Sequence, residues 1–254
     1  AVMQPTAEVA ALNSGELDFL ANVPSAMQGA ESGLPLKVVL VTSDFPNQLL
    51  IGAKDIKTPA DLRGKVVAGS TPGSEPNQVT AALLEKYGLA DGSYQFLSGG
   101  NSDDTRATMV ANNNAKAALL GLAAAIRMLN DGYPLLDDAT KFETVAEGLA
   151  TSADKIAKQH DMVQRTIDAT LEAMQVMRTD QQSILPILQK EFGFSAADAE
   201  KAFGLLANRW TPDGRPTATA IQTQFDLDVK DQHLAQRPKE SDLFDFSLLH
   251  ASSS

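Results

Sequence analysis

Residues 66–87 limit the possible folds more than any other stretch. Val66-Val67-Ala68 is a short apolar strand, residues 69–77 hold two Gly, two Pro, two Ser and a Thr, and Val79, Ala82, Leu83 and Tyr87 then recur at helical spacing. A strand that passes through a small-residue loop straight into a helix is the repeating unit of an α/β fold. Such a loop sets backbone N–H groups and the hydroxyls of Ser70, Thr71 and Ser74 at the positive end of a helix dipole, a place suited to a carboxylate, sulfonate, nitrate or phosphate. The same residues also serve an ordinary strand-to-helix turn rich in capping groups, and the stretch alone does not choose. Neither a Walker loop nor a GxGxxG fingerprint is present, which gives nucleotide binding little support.

The rest of the chain alternates in the same manner. Residues 6–13 and 26–31 read as helices, with a strand at 17–21 between them that ends in Asn22-Val23-Pro24-Ser25. Strands are expected at 37–42 and 48–53, on either side of Ser43-Asp44-Phe45-Pro46-Asn47, and again at 94–97, 116–120 and 142–145. Thr58-Pro59 opens a helical turn, and helices are expected at 104–111 and 123–129. Residues 148–152 read as an extended link, after which the chain turns helical. Residues 162–178 place Val163, Ile167, Leu171, Met174 and Met177 on one stripe, which reads as core packing, and further helices are expected at 183–192, 196–210 and 217–225. Residues 10–33 and 108–132 share one order: helix, polar turn, short strand, loop, small-residue helix, Gly. The repeat predicts two α/β lobes joined by links at 48–53 and 144–151. Lobe 1 comprises residues 1–51 and 144–254, with a helical C-terminal part, and lobe 2 residues 52–143. Ligand loops then belong at the carboxyl ends of the strands.

The 21 basic and 32 acidic residues leave a net charge of -11, which argues against nucleic acid or an anionic membrane surface as partner, since both need a basic patch. No run reaches the roughly 18 to 20 apolar residues of a membrane span, and Ala1-Val2-Met3-Gln4-Pro5 carries no signal-peptide pattern. With no cysteine, the chain holds no disulfide, thiolate metal site or cysteine nucleophile.

Enzyme constellations are thin. His160, His233 and His250 fall late, beside no plausible nucleophile, and read as surface residues; no cluster has metal-ligand spacing, and no cofactor or metal is expected. Asp103-Asp104 and Asp137-Asp138 suit helix capping better than proton sharing. Glu75 is an acid within an anion-friendly loop, so it either caps the helix start or receives the ammonium of a zwitterion. Arg106 follows Gly99-Gly100, where it faces either an anionic ligand or solvent, and Trp210 reads as core.

Three segments bring a family into view: Ala10-Ala11-Leu12-Asn13-Ser14-Gly15-Glu16-Leu17-Asp18-Phe19, Ile56-Lys57-Thr58-Pro59-Ala60-Asp61-Leu62-Arg63-Gly64-Lys65-Val66, and Gly148-Leu149-Ala150-Thr151-Ser152. They resemble the nitrate/sulfonate/taurine-type substrate-binding proteins of ABC importers, over residues 5–225. The resemblance implies a two-lobed periplasmic binding protein type II fold, a small anionic or zwitterionic ligand in the cleft between lobes, closure on binding, a periplasmic or other extracytoplasmic location and an ABC transporter permease as partner. Carried over by position, the ligand meets Asn22, Pro24 and Ser25, then Ser43 and Asp44, then Ser70, Thr71, Gly73 and Ser74, with Gly121 and Leu122 at the base. The same resemblance extends to thiamine-pyrimidine synthases and aromatic sulfinate desulfinases, whose chemistries lean on Cys or His within the cleft. That leaves an enzyme, or a ligand-sensing module, as the alternative to a solute carrier.

Two departures from the family pattern stand out. Members usually begin with a strand, helix and strand that have no counterpart here, and the tail after Asp228 is long. Strands missing beside residues 17–21 would leave an unpaired row of N–H and C=O groups. Either the tail, whose residues 225–229 and 243–246 alternate at strand period, or a second chain is expected to pack there.

Overall fold

A computed structural model describes residues 5–71 and 74–249. In chain order the elements are α1 (Pro5–Ser14), α2 (Val23–Glu31), β1 (Leu36–Ser43), β2 (Gln48–Gly52), a 3₁₀ turn (Pro59–Leu62), β3 (Val66–Gly69), α3 (Glu75–Glu85), β4 (Gln95–Ser98), α4 (Asp103–Ala111) and β5 (Ala117–Gly121). They continue as α5 (Leu122–Asn130), β6 (Leu135–Asp138), a second 3₁₀ turn (Ala139–Lys141), β7 (Glu147–Ser152), α6 (Ala153–Lys158), α7 (His160–Thr179), α8 (Gln181–Phe192), α9 (Ala196–Leu206), α10 (Ala218–Gln232) and α11 (Glu240–Leu243). The chain divides into two compact units. Unit 1 is Ala1–Phe45, Glu143–Ile187 and Phe203–Ser254, and unit 2 is Pro46–Phe142 with Leu188–Ala202.

Unit 2 is built on a five-stranded sheet of described residues in the order β4-β3-β5-β2-β6. β3 runs parallel to β4 and β5, whereas β2 is antiparallel to both of its neighbours, β5 and β6. The sequence reading makes residues 48–53 a strand that also links the lobes; the structure has the strand, Gln48–Gly52, at an inner place of the unit 2 sheet. The physical reason is its content: Leu49, Leu50 and Ile51 are buried, as are Ala117 to Leu120 opposite them, and an apolar run of this kind demands cover on both faces. Gly52 leaves room for Leu136, since a Cβ there would lie 2.8 Å from the leucine side chain. Val79, Leu83 and Leu84 of α3 and Ala124, Ala125, Ile126 and Met128 of α5 are buried. In α9, Ala199 and Ala202 are buried, and the Asn130 amide donates to Asp198 at 3.1 Å. That contact ties residues 188–202 to unit 2, a return of the chain that the helical pattern does not reveal.

Unit 1 centres on β1 and β7, paired antiparallel with two register shifts. The strand expected at 142–145 forms instead at Glu147–Ser152, because Gly148 fits a close approach that no other residue allows: a Cβ there would stand 2.2 Å from the Leu40 carbonyl oxygen. Residues 17–21 make a single bridge, Leu20 to Ala150, rather than a strand. Among the described residues, the tail shares a core cluster with Leu17 and Leu20 but forms no β-bridge with them. Residues 225–229 lie inside α10, where Phe225 is buried in the core with Leu12, Val23, Met27, Leu36 and Val38. Phe244 pairs with Val38 on the side of β1 away from β7, and Asp245 N–H donates to the Val38 carbonyl at 2.9 Å. A strand-completing second chain finds no support either. The expected stripe on α7 buries Val163, Ile167 and Met174 against Val39, Leu40, Leu248 and Leu249, with Leu171 and Trp210 partly buried beside them.

One buried polar cluster in unit 1 has a consequence for stability. Asp228, fully buried on α10, accepts from the Gln224 amide at 3.0 Å, and Gln232 donates to the Glu31 carboxylate. Burial, and then the charge of Asp228, push the Glu31 carboxyl up from 4.5 to about 7. A carboxyl whose folded pKa is raised holds its proton longer in the folded than in the unfolded state, so its contribution to stability is greatest below the unfolded pKa and is lost as pH rises through the folded one. Buried Asp44 and half-buried Glu147, raised to about 6 and about 7 by desolvation, act with the same sign. Glu31→Gln is expected to raise the melting temperature at about pH 8 and to flatten its fall between about pH 5 and about pH 8, as read by circular dichroism melts.

Candidate functional site

The topology of unit 2 gathers its loops at one end of the sheet. Register pairs Gly69 with Ser98 and Gln48 with Gly121, and the parallel strands β3, β4 and β5 all run toward that end. Loops at the carboxyl ends of parallel strands, where the strand order reverses sequence, are where α/β folds hold ligands. Here the loop after β3 carries Ser70, Thr71 and Ser74, and the loop after β4 carries Ser98 to Asn101. Gly121 and Leu122 join β5 to α5, and Glu75 opens α3. Gly73, with Pro72, lies outside the described residues.

Hydrogen bonds fix most of this cluster from within. Asn77 accepts from Ser70 N–H at 2.7 Å, so the loop folds back on the helix it feeds, and the amides of Asn77 and Gln78 both donate to the Ser74 carbonyl. Pro76 has no N–H to offer. The α3 terminus therefore offers fewer backbone donors than the sequence pattern promises, and hydroxyls matter more. Ser70 Oγ and Thr71 Oγ1 both donate to Asn101 Oδ1, at 3.0 and 2.8 Å. Ser74 caps α3 by position, yet its hydroxyl makes no capping bond and has no hydrogen-bond partner, although the residue is only 8% exposed. The Gln48 amide donates to Glu75 at 3.1 Å.

Arg106 does not reach solvent, and its Nε is buried without a hydrogen-bond partner. It is 2% exposed, donates through Nη1 to the Gly100 carbonyl at 2.8 Å and is ion-paired with Asp103. It thereby clamps the turn that carries Asn101, a turn eased by Gly100 at φ +70°. Burial lowers the Arg106 pKa against the opposing pull of Asp103 and Glu75; burial likewise raises Asp103, against Arg106 and the Gly121 N–H. Asp103 Oδ2 accepts that N–H at 3.1 Å, so the chain's own carboxylate caps the start of α5.

The remaining expected site residues lie in unit 1, at the Ser43 end of β1. Ser43 is in register with Glu147, and Ala21, just before Asn22, accepts from Gly148 N–H at 3.3 Å. Asn22 caps α2 by accepting from Ser25 N–H, with Pro24 and Ser25 buried in the first helical turn. Ser43 Oγ is engaged with the Phe45 backbone. Asp44 is 4% exposed; one carboxylate oxygen accepts from Thr217 N–H at 2.9 Å, and the other is buried without a hydrogen-bond partner. Burial first, and then the charges of Glu143 and Asp213, outweigh the Thr217 bond and push the carboxyl up to about 6. A carboxylate oxygen buried in this way suits a ligand N–H or ammonium. Asn101, Gln48 and Glu147 escape sequence reasoning, because only strand register brings them to these loops. The Gly99-Gly100 pair preceding Asn101 is the one signal that points there.

Two α/β units with small polar loops at their strand ends define the class, which is the periplasmic binding protein fold. Within it, the family model described as NMT1/THI5 like matches residues 2–184, and the chain belongs to that family. This bears out the resemblance seen in residues 10–19, 56–66 and 148–152. In structure the chain is similar to the periplasmic aliphatic sulphonate binding protein SsuA from Escherichia coli, with a TM-score of 0.75 and 19% identity over 96% of this chain and 80% of that one. It is also similar to the alkanesulfonate-binding protein SsuA from Xanthomonas axonopodis pv. citri bound to MOPS, with a TM-score of 0.73 and 21% identity over 93% of this chain and 81% of that one. The desulfurization enzyme DSZB shares the fold at a TM-score of 0.66 and 14% identity, over 91% of this chain and 82% of that one. No curated protein matches the chain in sequence. At these identities the likeness is one of fold, common to binding proteins and an enzyme.

Among the described residues, no group of three or more His, Asp or Glu is placed to hold a metal ion, and no helix is long and apolar enough to cross a membrane. The Asp103 cap gives a direct check on the geometry of the unit 2 loops. A Cβ on Gly121 would lie 2.6 Å from Asp103 Oδ2 and displace it. Gly121→Ala is expected to cost about 1.5–3 kcal/mol in urea unfolding, the range for breaking a hydrogen bond to a charged group.

Proposed function

We propose that this chain is the solute-binding component of an ABC importer, working outside the cytoplasm with a permease partner, and that it carries a small anionic or zwitterionic organic ligand. The observation that carries the reading is the set of three hydroxyls on the loop after β3, those of Ser70, Thr71 and Ser74, with Ser74 buried and unpartnered at the start of α3. A buried hydroxyl without a partner costs free energy that an anionic oxygen at the helix terminus recovers. Recognition of this kind needs only oriented dipoles. In a zwitterion, the ammonium has Glu75 to meet, and the sulfonate or carboxylate end has the hydroxyls. Asn22, Pro24, Ser25, Ser43, Gly73, Gly121 and Leu122 belong to the proposed ligand surroundings by position in the family.

The sulfonate-binding neighbours support a sulfonate-like ligand. DSZB keeps an enzyme in view, but this chain has no cysteine, and His160 and His233 are exposed in unit 1, on α7 and just beyond α10. Ligand-shift thermal denaturation with methanesulfonate, taurine, nitrate, acetate and pyrimidines, with product analysis of each mixture, separates the two. A shift without turnover is expected, and turnover would overturn the carrier reading. Each hydrogen bond to a charged ligand is worth about 1.5–3 kcal/mol, so the double variant Ser70→Ala with Thr71→Val should weaken binding at least ~10-fold by calorimetry.

A further inference from the structure

We propose that Asn101 is a positioning residue that sets the donor polarity of the Ser70–Thr71 loop: when an anion binds, its carboxamide turns over, so that Nδ2 holds the two hydroxyl oxygens and both hydroxyl protons go to the ligand. The inference rests on the carrier reading in one respect, that this loop holds an anion.

The argument is one of proton counting. Each hydroxyl has a single proton. In the structure both protons are spent on one acceptor, Asn101 Oδ1, at 3.0 Å from Ser70 Oγ and 2.8 Å from Thr71 Oγ1. With both protons directed at Asn101, neither is directed at an anion, and Ser74 Oγ is the hydroxyl here that lies buried without a hydrogen-bond partner. A carboxamide is nearly symmetric in shape but opposite in polarity at its two ends. A half-turn about Cβ–Cγ puts Nδ2 where Oδ1 stood, with two hydrogens for two hydroxyl oxygens, and releases two protons.

Local structure permits the turn. Among the described residues Asn101 makes no further side-chain hydrogen bond that the rotation would break. Its backbone is held meanwhile by the clamp of buried Arg106 on the Gly100 carbonyl, by Gly99 N–H on the Gly69 carbonyl at 2.8 Å, and by Ser98 Oγ on the Ser70 carbonyl at 3.2 Å. The loop accordingly has two polarities. It accepts hydrogen bonds when empty and donates them when an anion is bound.

The test compares wild type, Asn101→Asp and Asn101→Leu by calorimetry with methanesulfonate, nitrate and acetate as probes. Asp is isosteric and only accepts when ionised, so it locks the hydroxyl protons inward. Its affinity at about pH 8 is expected to fall at least ~100-fold and to recover as the carboxyl protonates near pH ~4. Leu neither accepts nor donates and carries no charge, and is expected to lose about 10-fold with no such recovery. In ¹⁵N-labelled wild type, both Asn101 Nδ2 hydrogens should become protected from exchange when the anion is added. Wild-type affinity in Asn101→Leu would show that charge alone explains the Asp variant and would overturn the proposal, as would Asn101→Asp binding normally at about pH 8 or unchanged amide exchange on binding. Wild type binding none of the three anions would overturn the carrier reading and this proposal together, whereas failure in the variants or the exchange readout alone would leave the carrier reading standing.

Discussion

The pairing of Gln48–Gly52 with Ala117–Gly121 is the constraint on which the arrangement of unit 2 depends. It joins segments far apart in the chain through five register pairs whose side chains, Leu49 to Ile51 against Ala118 to Leu120, are removed from water on both faces. A slip of one residue would exchange the faces of the whole strand, so burial itself fixes the register. With the register fixed, Gln48 lies opposite Gly121, the loops after β3, β4 and β5 meet at one end, and the hydroxyls of Ser70 and Thr71 come within reach of Asn101.

Polarity within that cluster is mostly settled by the chain itself. Asp103 occupies the start of α5, Asn77 takes the Ser70 amide, Arg106 Nη1 and Nη2 go to a backbone carbonyl and Asp103, and the Gln48 amide is turned to Glu75. Among the described residues of unit 2, Ser74 Oγ, Gln48 Oε1 and Arg106 Nε are buried without a hydrogen-bond partner, and the Ser70 and Thr71 hydroxyls both donate to Asn101.

Local patterns in the sequence translate into local structure where one element contains all its own reasons. The 3₁₀ turn at Pro59–Leu62 is legible because the Asp61 carboxylate reaches back to Thr58 N–H at 2.8 Å, an interaction spanning three residues. The stripe on α7 is legible because Val163, Ile167 and Met174 lie on one face at helical spacing. Strand, loop and helix over residues 66–85 are legible for the same reason. The strand at residues 17–21 is misread because alternation of apolar and polar residues expresses a tendency to pair, and in the fold only Leu20 finds a partner.

The sequence by itself determined the α/β class, the family, the helical character of the later chain and the strand-to-helix succession that begins at Val66, all of which follow from periodicities and short motifs. Tertiary structure decided that the strand Gln48–Gly52 lies inside the unit 2 sheet, that the tail adds Phe244 to the Val38 side of β1, that residues 188–202 return to unit 2, and that the Ser70 and Thr71 hydroxyls meet Asn101. The difference is physical. Periodicity records which side of an element avoids water, while partners dozens of residues apart are chosen by register and packing, which no local pattern encodes.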